Sequence, residues 1–158
     1  IWYFHVRAKD TVGNWGSTDH YRVKIDTADP EGWQNFAPAD WVADQTPDCT
    51  IRAADITAGL DVSTACYSYS TDGGSSWSSW RSASCTGSDG ATSYQTVTAS
   101  TVPFNLDSGA QNMIKFKIDA AARNSGESDE YTVRVDAADQ PAPVISSSTH
   151  PDRGVGAT

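Results

Sequence analysis

The sequence predicts an all-β fold, an antiparallel β-sandwich of about seven short strands forming one unit of a tandem array. Three observations predict it: a strand-and-turn composition, a self-similarity between segments 110 residues apart, and short alternating apolar stretches divided by turn residues. Ser, Thr, Gly, Asp and Ala dominate, Leu occurs only at Leu60 and Leu106, and Val, Ile, Thr, Tyr and Trp supply most of the bulk. Branched and aromatic residues suit a pleated, half-buried surface. At 158 residues the chain has room for one full domain and part of another.

The self-similarity needs no gap. Asn14 pairs with Asn124, Gly16 with Gly126, Asp19 with Asp129, Tyr21 with Tyr131, Val23 with Val133 and Asp26 with Asp136, and the match runs on to Asp29 and Asp139. The apolar alternation Phe4, Val6, Ala8 recurs as Ile114, Phe116, Ile118. Each copy reads as a hairpin: an alternating strand, a loop rich in small polar residues, then a second alternating strand (Tyr21, Val23, Ile25; Tyr131, Val133, Val135). An Asp and a Pro-containing linker follow both copies, so boundaries are expected near residues 30 and 139.

Between those boundaries, strand-like stretches fall near 32–36, 48–54, 64–70, 77–84, 92–99, 112–119 and 129–136, with Gly, Pro, Asp, Asn and Ser between them. Ala120-Ala121-Ala122 favours helix by composition, yet it occupies the loop position held by Asp10-Thr11-Val12 in the other copy. Seven strands in about 100 residues is the signature of an immunoglobulin-like or fibronectin-III-like sandwich. The segment from Trp2 to Asn14 resembles the strand and loop that end many prokaryotic Ig-like repeats of large surface and secreted proteins. The resemblance covers nearly the whole chain, and Pro143 to Asp152 looks like the first strand of a further repeat. It implies residues 1–29 as the last two strands of one module, 30–139 as a complete module, and 140–158 as a linker and the first strand of the next. Residues 120–124 depart from the Asp-x-Ala-Gly-Asn type of loop, so a loop role for Asp10 does not pass to position 120. Without a starting Met, and opening inside an apolar run, the chain is expected to be an excerpt of something longer.

A formal net charge of −9 argues against a nucleic-acid backbone as partner, which needs clustered Lys and Arg. No stretch approaches the roughly 20 apolar residues of a membrane span. Three cysteines lack the paired spacing of a zinc site. One disulfide and one leftover thiol would fit an oxidising compartment, with Cys49–Cys85 the preferred pair because each sits beside a turn, whereas Cys66 lies within a strand-like stretch. Three buried free thiols is the other reading.

Ser70-Thr71-Asp72-Gly73-Gly74-Ser75-Ser76-Trp77 resembles the Asp box, with Ser70, Asp72, Gly74 and Trp77 at its defining positions. That implies a structural hairpin tip in which Asp72 takes turn N–H groups, the glycines accept positive φ and Trp77 packs beneath. A single copy cannot build a propeller. Six Trp invite a glycan-binding reading, with Trp33 and Trp80 as candidate contacts. On a regular strand Trp77 and Trp80 would face opposite sides and form no shared platform. Trp77-Ser78-Ser79-Trp80 also resembles a C-mannosylation acceptor. Asp26, Asp29, Asp136 and Asp139 are candidate Ca²⁺ ligands at module junctions, with a solvated acidic surface as the alternative. His5, His20 and His150 fall in no nucleophile or metalloprotease pattern, and the chain has no nucleophile elbow and no phosphate loop. The expectation is a non-catalytic structural or adhesive repeat of an extracellular or cell-surface protein. Its partners would be neighbouring modules, in cis or by strand addition in trans. The alternative is an accessory carbohydrate-binding module of a secreted enzyme.

Overall fold

The computed structural model describes residues 2–137 and is built from strands and turns, with no helix among the described residues. Eleven strands follow in order: β1 (Trp2–Val6), β2 (Asp19–Val23), β3 (Glu31–Ala37), β4 (Cys49–Ala54), β5 (Leu60–Ser70), β6 (Arg81–Ser82), β7 (Ser84–Cys85), β8 (Gln95–Ala99), β9 (Met113–Ala120), β10 (Ser125–Glu127) and β11 (Tyr131–Thr132). All strand pairings are antiparallel. They make a separate β1–β2 hairpin, a five-stranded sheet of order β10-β9-β5-β6 with β11 also paired to β9, and a four-stranded sheet of order β3-β4-β8-β7. Asp139 and residues 140–158, including the expected strand near 143, lie outside the described residues.

The two larger sheets share one core, an arrangement consistent with a β-sandwich. Period-two alternation buries Cys49, Ile51 and Ala53 on β4, Val97 and Ala99 on β8, and Ile114, Phe116 and Ile118 on β9. Val102 and Phe104 close one end from a loop whose backbone bonds to Pro47 and Gln45. Buried Asn112 fastens the same loop, with Nδ2 donating to the Asn105 carbonyl (2.8 Å) and Oδ1 accepting from its N–H (2.9 Å). Phe36 of β3 stacks on Tyr131 with centroids 4.4 Å apart and meets Phe116 edge-on, so β3 covers the β9–β11 pair.

The stretch expected as one strand over 77–84 is different. Residues 77–80 have no strand pairing, and two-residue β6 and β7 join different sheets: β6 pairs with β5 and β7 with β8. The chain crosses between sheets at Ala83, whose N–H donates to the Ala65 carbonyl while its side chain packs on the core. A crossing leaves no period-two signal, because the inward residues belong to two faces in turn.

The β1–β2 hairpin is built like the β9–β10–β11 unit. Phe4 opposes Tyr21 and Tyr3 opposes Arg22, as Ile114 opposes Tyr131 and Met113 opposes Thr132. In the first loop Asp10 N–H donates to Asn14 O (2.9 Å) and Gly13 N–H to Asp10 O (3.1 Å); in the second, Ala120 donates to Asn124 O (2.7 Å) and Arg123 to Ala120 O (2.8 Å). Gly13 and Arg123 both hold positive φ, +100° and +71°. The surroundings differ: Trp2, Phe4, Val6, Tyr21, Val23 and Ile25 are exposed, whereas Ile114, Phe116, Val133 and Val135 are fully buried.

Candidate functional site

The richest surface chemistry lies where β5 turns into the segment leading to β6, beside the outward face of β9. The tip at 70–77 is a dense network. Ser70 Oγ donates to Asp72 Oδ1 (2.7 Å) and accepts from Gly74 N–H (3.0 Å), while Asp72 receives Ser76 N–H (2.9 Å) and Ser76 Oγ–H (2.6 Å). Gly73 and Gly74 take φ of +71° and +84°, a region that L side chains enter at a cost. Hydrogen bonds from Ser76, then from Ser70, hold the Asp72 carboxyl down at about 2. Gly73 N–H donates to Gln111 O and Asn105 Nδ2 to Thr71 O, fastening the tip to its neighbours.

Beyond the tip, Ser78 hooks the chain onto β5: its N–H donates to Tyr69 O, its Oγ accepts from Tyr69 N–H, and its carbonyl accepts from Ser68 Oγ. This corrects the expectation that Trp77 and Trp80 face opposite ways. Because residues 77–80 follow no pleat, both rings flank one cation, with Lys115 Nζ 4.9 Å from the Trp77 centroid and 5.5 Å from that of Trp80. Lys117 lies 5.8 Å from the Trp80 ring, and Glu127 reaches Lys115 and Lys117 at 3.8 and 3.9 Å. Trp80 is exposed and Trp77 half-buried, so the pair forms an aromatic strip edged by charges. Lys115, Lys117 and Glu127 had no place in the motif reading. Their signal was the alternation with Ile114, Phe116 and Ile118, which turns both lysines outward. Trp33 contributes nothing to this strip: it packs against the core from β3, and its Nε1 is buried.

The preferred disulfide is also corrected. All three cysteines are free thiols. Cys49 opposes Ala99 and Cys85 opposes Val97, so β8 runs between them. Two strand spacings amount to about 9.6 Å, beyond the roughly 7 Å that a disulfide spans. Cys66 opposes Ser82 and Lys117 in the other sheet. Burial, helped by Asp48, pushes the Cys49 thiol up to about 12, and burial with Asp89 pushes Cys85 up to about 11. Burial raises Cys66 as well. These thiols stay protonated near neutrality.

Of the carboxylates expected to converge on calcium, the described ones, Asp26, Asp29 and Asp136, form no metal-binding group. Asp26 Oδ1 caps the Ala28 N–H (3.1 Å), Asp29 is exposed, and Asp136 N–H donates to Val42 O elsewhere. Among the described residues no three His, Cys, Asp or Glu gather as a metal-binding group. The most buried carboxylate among the described residues is instead Asp55, whose Oδ1 accepts from Thr57, Ala58 and Gly59 N–H and fixes the β4–β5 loop. His5 and His20 are cross-strand neighbours packed edge to face in the hairpin, while His150 lies outside the described residues. No helix among the described residues is long and apolar enough to cross a membrane. Comparison with protein-family models, with curated proteins and with solved structures finds no match.

Proposed function

We propose that the chain is part of a tandem array of Ig-like modules in an extracellular or cell-surface protein, with a structural or adhesive role. Residues 1–29 end one module, 30–139 form a complete one, and 140–158 lead into the next. The observation that carries this is the correspondence of the two hairpins at a spacing of 110 residues, in cross-strand register, in loop hydrogen bonds and in the positive φ of Gly13 and Arg123. A shared pattern of apolar residues arises easily; a shared backbone turn with unlike side chains, Asp10 against Ala120 and Gly13 against Arg123, is harder to reach without common construction. The apolar face of β1–β2 then has a purpose, since its counterparts Ile114, Phe116 and Val133 are core. Mechanism in such an array is reach and rigidity, set by stacked units. Antibodies against residues 30–137 should label intact source cells, and externally added protease should remove the label. Labelling only after permeabilisation overturns the reading.

A second reading, a carbohydrate-binding module, draws on the Trp77–Trp80 strip. Aromatic faces beside charged groups suit sugar rings. A glycan array separates the two: the structural role expects no saturable binding, and binding lost in Trp80→Ala hands the module to the rival.

A further inference from the structure

Between β2 and β3 the segment from Asp26 to Pro30 lies against the loop joining β9 to β10. Asn124 Nδ2 donates to two of its carbonyls, Asp26 O (3.1 Å) and Ala28 O (2.9 Å). Pro30 is buried, and its carbonyl sits so close to Gly126 that no Cβ would fit there. Asp26 shapes the segment by capping Ala28 N–H. The counterpart of Asn124 behaves differently: Asn14 Nδ2 is held by its own loop through Asp10 Oδ2 (3.1 Å). Position 120 carries Ala in place of that carboxylate, so the same turn backbone releases its Asn amide to face outward.

Among the described strands, β1 and β2 pair only with each other. A cleft of about 740 Å³ lies between this hairpin and the two-sheet body, lined on one side by Trp2 and Ile25 and on the other by Thr57, Ala58, Gly90 and Ala121. We propose that the Ala120–Gly126 turn is a docking site for the carbonyl edge of the incoming linker, with Asn124 as the clasp that sets the joint between consecutive units. The partner is a backbone segment with two carbonyls free of sheet pairing, two residues apart, followed by Pro. That the joint lies between consecutive units rests on the proposed repeat, whereas the clasp itself rests on contacts within the chain and is tested apart from it.

The test is ¹⁵N relaxation on the full chain, comparing the amides of Thr27, Ala28 and Asp29 with those of β4, β8 and β9. Docked, the linker should share the order of the strands, near 0.85; in Asn124→Ala, and in Asn124→Asp, which keeps the size but removes the donors, it should fall below about 0.6 while the strands keep theirs. A linker as ordered in both variants as in the unaltered chain overturns the proposal, as does one below about 0.6 in the unaltered chain.

Discussion

At the scale of single residues, the local geometry is set by a few groups that satisfy backbone donors or accept an awkward φ. Asp55 is the strongest case, one buried oxygen holding three consecutive N–H groups of a tight loop. Removing it leaves the buried Gly59 N–H and two part-buried N–H groups without their acceptor, so Asp55→Ala should cost about 2 kcal/mol, read as a lower denaturation midpoint at unchanged m-value. Arg123 is the opposite case. It occupies a left-handed conformation that its counterpart Gly13 adopts freely. Arg123→Gly should therefore raise stability by about 0.5–1 kcal/mol in the same measurement, the relieved strain exceeding the entropy that glycine adds to the unfolded chain. The departure of 120–124 from the Asp-x-Ala-Gly-Asn type was visible in the sequence. That the turn would survive it, and that Asn124 would find new acceptors, was not, because both depend on a linker almost 100 residues away in sequence.

At the scale of elements, alternation located β4, β8 and β9, since each buries one face against a common core, whereas β3 sets Trp33 and Phe36 against that core through an irregular register. It failed over 77–84, where the chain changes sheets and Ser78 replaces a strand pairing with a side-chain hook. The same failure hid the Trp77–Trp80 strip, because the expectation of opposite faces assumed a pleat that is absent. The cysteine pair went astray for a related reason: closeness to turns says nothing about which strands are neighbours, and β8 separates Cys49 from Cys85. The tip at 70–77 was legible, since Ser, Asp and Gly at those spacings have few other ways to satisfy a tight turn. Its chemistry gives a pH test. The Asp72 carboxyl is held at about 2, below the ordinary carboxylate value, so its contribution is complete above about pH 4 and is lost as pH falls through 2. Thermal melts should show the unaltered chain more stable than Asp72→Asn at pH 5, with the gap closing between about pH 4 and pH 2. A gap independent of pH would mean that the ionised carboxylate contributes nothing.

At the scale of the whole molecule, the two larger sheets share one core whose buried residues run from Cys49 to Val135, and the β1–β2 hairpin remains with an exposed apolar face. An isolated two-stranded hairpin is marginal in water. Its register counterpart indicates what should cover it: a strand equivalent to β5 along the free edge of β1, and an aromatic equivalent to Phe36 above Val6 and Tyr21. With those partners the hairpin should complete a module of the same kind. The most direct measurement joins a copy of residues 30–110 ahead of Ile1, which places β1 and β2 where β9 and β11 stand relative to that segment, and follows amide hydrogen exchange at Tyr3–Val6 and Tyr21–Val23. Exchange there should slow by about 100-fold or more relative to the unextended chain, as in core strands whose partners are present. Exchange as fast as in the unextended chain, with the added segment folded or not, would contradict the tandem-module reading.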